Sequence, residues 1–290
     1  DRDPKESLFK FKRNMVYFSV GNEKVSMTTR LSGSKTRFLP FNKGIDNPVN
    51  PKGHMTHYLW DDLLQKDSVL DLIENFVTIR DDVEKVYDPK QKRLVDAKSQ
   101  TLIFPRFHQL KVINNLRKDI LENGSGVNYL IQHTTGSGKS LSIGWLSHML
   151  ASLYQSPEDS NRIFDSVIVV TDRRVLDKQI SNTIIQLQQV KGVVNTTKDE
   201  NSEKLKEYIE SGKSIIISTI QKFPVISEAI SNMGDRKFAV IIDEVHSSQS
   251  GETSKHLKKS LSKSNLDNFQ EGEDEEDLTE VDKLILDEIN

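Results

Sequence analysis

The 290-residue chain has no cysteine. That excludes a disulfide framework and any metal site built on thiolates. It also lacks a run of about 18 apolar residues and the charged-then-apolar start of a secretory signal, so nothing in it reads as a membrane-spanning helix or export segment. A cytoplasmic location without a membrane partner is the default expectation. No internal repeat is present. The chain starts at Asp1 rather than methionine and ends in Leu-Asp-Glu-Ile-Asn, and the expectation is that it is a piece of something longer.

Charge is scarce in net terms, at −3, but unevenly spread. Residues 271–290 hold ten acidic residues against one lysine, and the 270 before them carry 39 basic and 33 acidic residues. A moderately basic body fits a phosphate-bearing partner such as duplex DNA, although plain surface solvation produces the same balance. With 35% hydrophobic residues the chain can bury one substantial core and a second small one.

Residues 15–31 alternate apolar and polar around Gly21-Asn22, the pattern of a hairpin. The following TRFLPFNKGIDNPVNPKG has three prolines, which forbid regular structure, yet Phe38, Leu39 and Phe41 need burial. From Tyr58 to Phe76 the apolar spacing predicts two short helices divided near Lys66-Asp67-Ser68, with their aromatic residues in the core. Residues 79–100 are strongly charged and read as a surface connection or extended strand, where a domain boundary belongs. A helix follows Phe104-Pro105-Arg106 and runs to Leu121.

The chain is organised around Thr134-Thr135-Gly136-Ser137-Gly138-Lys139-Ser140. Val127–Ile131 before it reads as a short buried strand, and Leu141, Trp145 and Met149 after it recur at helical spacing. A glycine-loosened turn between a strand and a helix lets backbone N–H groups face an anion, while the helix adds its positive end. Lys139 is placed to reach the terminal phosphates of a nucleotide and the Ser140 hydroxyl to ligate Mg2+. The first glycine of the full phosphate-loop pattern is replaced by His133. The rival reading is a Gly-Ser turn that caps a helix.

Apolar runs at 166–171, 214–219 and 238–242 alternate with helical segments, which predicts a parallel sheet covered on both faces, a RecA-like α/β domain. The last run delivers Asp243, Glu244 and His246 at its carboxyl end, where open α/β sheets bind ligands. Asp243 suits a magnesium ligand, and Glu244 could polarise the water that attacks the γ-phosphate of ATP. His246 would sense the nucleotide. Taken alone, Asp-Glu-x-His ends many ordinary strands, and it gains meaning only from the phosphate loop about a hundred residues earlier.

These paired motifs resemble the ATPase core of superfamily 2 helicases and translocases. TRFLPFNKG, NPVNPKG, YLW, FPRFHQ, HTTGSGKS, VTDRRVLDKQI, STIQKF and IIDEVHSSQSG, in that order, resemble the motor (R) subunit of type I restriction enzymes. The resemblance implies an amino-terminal nuclease domain, two RecA-like motor domains, duplex DNA as substrate, and methyltransferase and specificity subunits as partners. It divides this chain into the end of a smaller α/β nuclease-type domain (1–95), a first motor domain (96–265) and an acidic, partly disordered segment (266–290) leading towards a second motor domain.

Residue by residue, Gln109 with Arg106 resembles the adenine-reading motif, against the alternative of a helix-surface glutamine. Arg173 and Arg174 resemble one DNA-backbone contact and Thr219, Gln221 and Lys222 another, against ordinary solvated residues at strand ends. Two parts of the pattern are missing. The nuclease Asp and Glu-x-Lys have no counterpart beyond chance approximations at Glu84-Lys85 and Asp96-x-Lys98, and the arginine finger of a second motor domain is not found. The sequence therefore reads as an ATP-dependent DNA translocase and restriction endonuclease subunit, holding half of its ATP site. The alternatives are a general DExH helicase of DNA or RNA, and a nucleotide-binding module without turnover.

Overall fold

The computed structural model describes residues 3, 6–88, 92–134, 136–156, 158–171, 174–188, 192–197 and 202–243. β1 (Tyr17–Val20) and β2 (Val25–Thr28) form the expected hairpin, with β3 (Leu39–Pro40) added antiparallel to β2. The proline-rich crossing is held by side chains that satisfy its backbone. Buried Asn47 accepts from Lys43 N at 2.8 Å and donates to Glu23 O at 2.7 Å, and Thr56 donates to Gly21 O. Phe41 is fully buried, whereas Phe38 stays exposed.

A π-helical turn at Leu59–Leu63, then α1 (Lys66–Asp71) running directly into a second π turn at Leu72–Phe76, replaces the two simple helices expected. Five-residue hydrogen bonds such as Leu64 N to Leu59 O, 2.8 Å, swing successive side chains to different faces. Tyr58 and Phe76 consequently enter the core, while Trp60, expected there, is 51% exposed. The charged connector is an antiparallel pair, β4 (Thr78–Asp88) and β5 (Arg93–Ile103), in unbroken register.

α2 (Phe107–Asn123) and α3 (Lys139–Ala151) then precede a four-stranded parallel sheet. Its strands are β6 (Ser166–Thr171), β7 (Val194–Thr196), β8 (Ile215–Thr219) and β9 (Phe238–Ile242), in the spatial order β7-β8-β6-β9. The connecting helices are α4 (Arg174–Leu187), α5 (Ser202–Glu210) and α6 (Phe223–Ser231). Because side chains alternate along a strand, Val167, Val169, Ile215 and Ile217 face α2, α3 and α4. Ile168, Val170 and Ile216 pack instead with Leu205, Ile209 and Ile226 of α5 and α6. Both faces are covered, as expected of a RecA-like domain.

Val127–Ile131 is a correction. The segment forms no strand, and its side chains are exposed, Leu130 by 79%. An apolar run becomes a strand only beside a partner offering free N–H and C=O groups. Among the described residues no strand pairs with it, and Tyr129 instead donates to Asp119 of α2 at 2.5 Å.

The amino-terminal section and the sheet domain share a core. Val25, Phe41, Tyr58, Leu72 and Phe76 pack in one cluster with Leu110 and Ile113 of α2 and Trp145 of α3. Phe107 of α2 makes edge contacts with Phe41 and Tyr58, at 5.7 and 5.3 Å between ring centroids. Arg117 pairs both guanidinium nitrogens with Asp71, at 2.7 and 3.0 Å, and Trp145 Nε1 donates to Phe76 O at 3.0 Å. Since losing a buried donor strands its acceptor, Trp145→Phe should lower the urea-unfolding free energy by about 1–3 kcal/mol.

Candidate active site

The order β7-β8-β6-β9 makes the chain reverse direction beside β6: β8 lies on one side of it, and β9 on the other. Open parallel sheets bind ligands at the carboxyl ends of the strands next to such a reversal. Asp243 stands there, directly after β9, with its N–H bonded to Val170 O of β6 at 2.9 Å. The phosphate loop arrives at the same point. Lys139 Nζ lies 3.0 Å from Asp243 Oδ1, joining the two chemical motifs of the sequence.

That pair is asymmetric. The Asp243 side chain is 4% exposed and the Lys139 side chain 37%, so the carboxylate is buried while the ammonium reaches it from the edge of solvent. The contact is a charge pairing without hydrogen-bond direction, and Asp243 Oδ1 has no hydrogen-bond partner among the described residues. A buried carboxylate oxygen with an unfilled lone pair fits a magnesium ion or its water. No group of three or more His, Cys, Asp or Glu side chains occurs among the described residues, so a caged metal site is not present there. One carboxylate plus substrate phosphates is the arrangement that magnesium commonly takes.

The loop's conformation is set from behind by the first turn of α2. Gly136 and Gly138 adopt φ of 77° and 87°, the left-handed region that side chains disfavour. Arg106 Nη1 donates to Gly136 O at 3.4 Å, His108 Nε2 to Ser137 O at 3.0 Å, and Gln109 Nε2 to Gly138 O at 3.0 Å. Three consecutive carbonyls thus turn towards α2. In planar trans peptides the N–H groups of Gly138 and Lys139 point the opposite way, as anion binding requires. Gly138 also caps α3, whose amino end adds its partial positive charge.

Gln109 is 2% exposed, and its Oε1 accepts from Arg106 N at 2.9 Å. In this state both ends of its amide serve the chain, and the amide is not presented to an adenine. Lys222 Nζ similarly donates to Thr197 O at 2.5 Å, holding the end of β7. Gln221 is exposed, Thr219 and Ser140 are half-buried, and Thr134 is exposed. Thr135, Arg173, Glu244, His246 and residues 266–290 lie outside the described residues, as does the Arg174 side chain. The pattern signalled Lys139 and Asp243. It gave no hint of His108 and His133, whose partners are backbone and hydroxyl atoms of Ser137.

A cavity of about 730 Å3 near Phe11, Arg30, Asp82 and Lys98 lies along the β4–β5 pair. It is lined by none of the phosphate-loop residues, so the sheet edge remains the candidate site.

A phosphate loop, a carboxylate-ended strand and a two-faced parallel sheet define a P-loop ATPase domain of RecA-like type. The comparison with protein families agrees: the SWI2/SNF2 ATPase profile matches residues 108–269, more than half of the sequence, and the chain belongs to that family. It is also similar to endonuclease subunits of type I restriction enzymes. A Methanocaldococcus jannaschii protein, provisionally described as the type I restriction enzyme MjaVIIIP endonuclease subunit, is 24% identical over 67% of this chain and 19% of its own length. The SauMSSORF170P endonuclease subunit of Staphylococcus aureus is 27% identical over 57% of this chain and 17% of its own. The SsaAORF53P subunit of Staphylococcus saprophyticus is 30% identical over 55% and 16%. The aligned part is less than a fifth of the length of each of these relatives.

A methyl group at Gly138 would sit 2.6 Å from Gln109 Nε2, on a backbone already at positive φ. Gly138→Ala is therefore expected to cost about 1–3 kcal/mol of stability. It should also weaken MgADP binding, measured by calorimetric titration of the folded variant.

Proposed function

We propose that this chain is the first motor domain, with the end of the preceding nuclease-type domain, of a type I restriction enzyme R subunit. The division read near residue 95 lies within β5, and the one near 265 lies outside the described residues. In that assembly ATP hydrolysis pulls duplex DNA past the enzyme, the DNA is cut when movement stalls, and methyltransferase and specificity subunits complete the complex. The observation that carries the ATPase part of this reading is the 3.0 Å approach of Lys139 to Asp243 at the strand reversal. It is supported by the family membership and by the names of the similar proteins.

On this reading Lys139 exchanges its carboxylate partner for the β and γ phosphates of ATP. The N–H groups of the loop and the amino end of α3 hold the phosphate oxygens. Asp243 and Ser140 would then hold magnesium, whose charge neutralises the phosphate oxygens. Glu244 orients and polarises the attacking water, and His246 passes the nucleotide state onwards. Arg106 and Gln109 lie beside the loop where an adenine can reach, provided the Gln109 amide gives up one of its present partners. Arg173, Arg174, Thr219 and Gln221 contact the DNA backbone without reading sequence. Lys222 joins them only by leaving Thr197.

Replacing Lys139 with alanine removes the one flexible charge aimed at the phosphates. Titration with MgATP should show at least a tenfold loss of affinity, a difference of about 1.4 kcal/mol, and equal affinities would sink the phosphate-loop assignment. Duplex DNA should bind weakly and without sequence preference. The slope of log K against log salt should be about −2 to −4, from a handful of phosphate contacts. Tight, selective and salt-insensitive binding would contradict the translocase reading.

A further inference from the structure

Two imidazoles flank Ser137 at the centre of the phosphate loop. His108 Nε2 lies 3.0 Å from Ser137 O, and His133 Nδ1 lies 3.1 Å from Ser137 Oγ. Their rings are 5.8 Å apart and tilted by 63°. A carbonyl can only accept, so His108 Nε2 carries a hydrogen and is the donor. The contact of His133 is different in kind, because a hydroxyl can donate or accept. In the neutral ring whose hydrogen sits on Nε2, Nδ1 accepts and the Ser137 O–H is used up in donating to it. In the imidazolium Nδ1 must donate to Oγ, and the hydroxyl hydrogen is free to turn towards an anion in the loop.

The surroundings favour the unprotonated ring while the loop holds no anion. Burial, then the neighbouring His108, then Lys139 hold His133 below the ordinary imidazole value. The charged group that acts on it is Lys139 at the start of α3, itself 3.0 Å from Asp243 at the end of β9, while Arg106 at the entrance of α2 bonds Gly136 O of the same loop. While the loop holds no anion, the field of Lys139 therefore opposes a charge on the ring. Terminal phosphates add several negative charges on the Lys139 side and reverse that field.

We propose that His133, supported by His108, is a positioning residue that takes up a proton as nucleotide phosphates enter the loop, turning the Ser137 hydroxyl towards them. The inference rests on the phosphate-loop reading and adds proton linkage to it. At most one proton passes from the buffer to the imidazole of His133 per nucleotide bound, forming one N–H bond, and otherwise only hydrogen bonds change. His133 occupies the place where the usual pattern has a glycine, which has no side-chain atom to make this contact.

Linkage fixes the sign. A site that gains a proton on binding binds more tightly as pH falls, and an uptake of about half a proton corresponds to about threefold in affinity per pH unit. MgADP is titrated into the chain between pH 6 and 8 in buffers of different ionisation enthalpy, which yields the proton count directly. The comparison variant is His133→Asn, whose amide keeps a polar atom facing Ser137 Oγ but cannot be protonated. Subtracting its proton count cancels the ionisation of the nucleotide itself. The wild-type chain should show the excess uptake and the steeper pH dependence, and the variant neither.

Equal counts in the two proteins would overturn the proposal while leaving the phosphate loop intact. A wild-type chain that binds no MgADP at any pH would overturn both. Should the variant fold poorly, the ring proton of His133 followed by NMR in the wild-type chain decides. Its titration midpoint must rise when MgADP is added, and an unmoved midpoint overturns the proposal.

Discussion

The carbonyl oxygens of Gly136, Ser137 and Gly138 have to face away from any anion that the loop holds, and most of the described structure serves that orientation. Arg106, His108 and Gln109 can collect those carbonyls because they share one helical turn. The turn is in place because α2 is pinned on its far side. Phe107 packs against Phe41 and Tyr58, Leu110 and Ile113 enter the shared core, and Arg117 is clasped by Asp71. Burying the Gln109 amide is acceptable only since both of its ends are satisfied.

The second requirement is that the loop and the Asp243 carboxylate meet, though they lie far apart in sequence. Parallel pairing of β6 with β9 brings Asp243 to the carboxyl edge, and α3 crosses beneath the sheet so that its amino end opens at that edge. α3 is apolar almost all round, with Ile143 and Leu150 facing the strands and Trp145 facing the amino-terminal section. Close approach of its neighbour α4 uses Gly144, where a methyl group would meet Leu187 at 2.5 Å. The helix is a strut between two bodies of packing, with the phosphate site at one end.

Much of this was legible in the sequence, for identifiable reasons. Strands such as Ser166–Thr171 are buried on both faces and therefore appear as unbroken apolar runs, and the order of glycines, lysine and aspartate marks the site without any coordinates. Val127–Ile131 shows the limit of the same rule, since apolar character reports what side chains favour and not whether a neighbouring backbone is free to pair. Trp60 misled in a related way: a π turn shifts the phase of a helix, and an aromatic residue moves from core to surface without a change in composition. The cradle of carbonyls was invisible because its acceptors are main-chain atoms, identical in every residue. Glu244, His246 and Arg173 fall outside the described residues.

The shared core has an evolutionary corollary. Modular enzymes diversify by exchanging whole domains, and an exchange is silent only where the joint is polar and loosely packed. Here the joint is a set of interdigitated aromatic rings, Phe18 and Phe41 against Phe104 and Phe107, with an indole N–H reaching across it. A recombination point placed in the charged connector would look natural in an alignment yet separate rings that must fit one another. Separating the two parts would expose apolar rings to water, so substitutions at Phe41 or Tyr58 should be read together with those at Phe107.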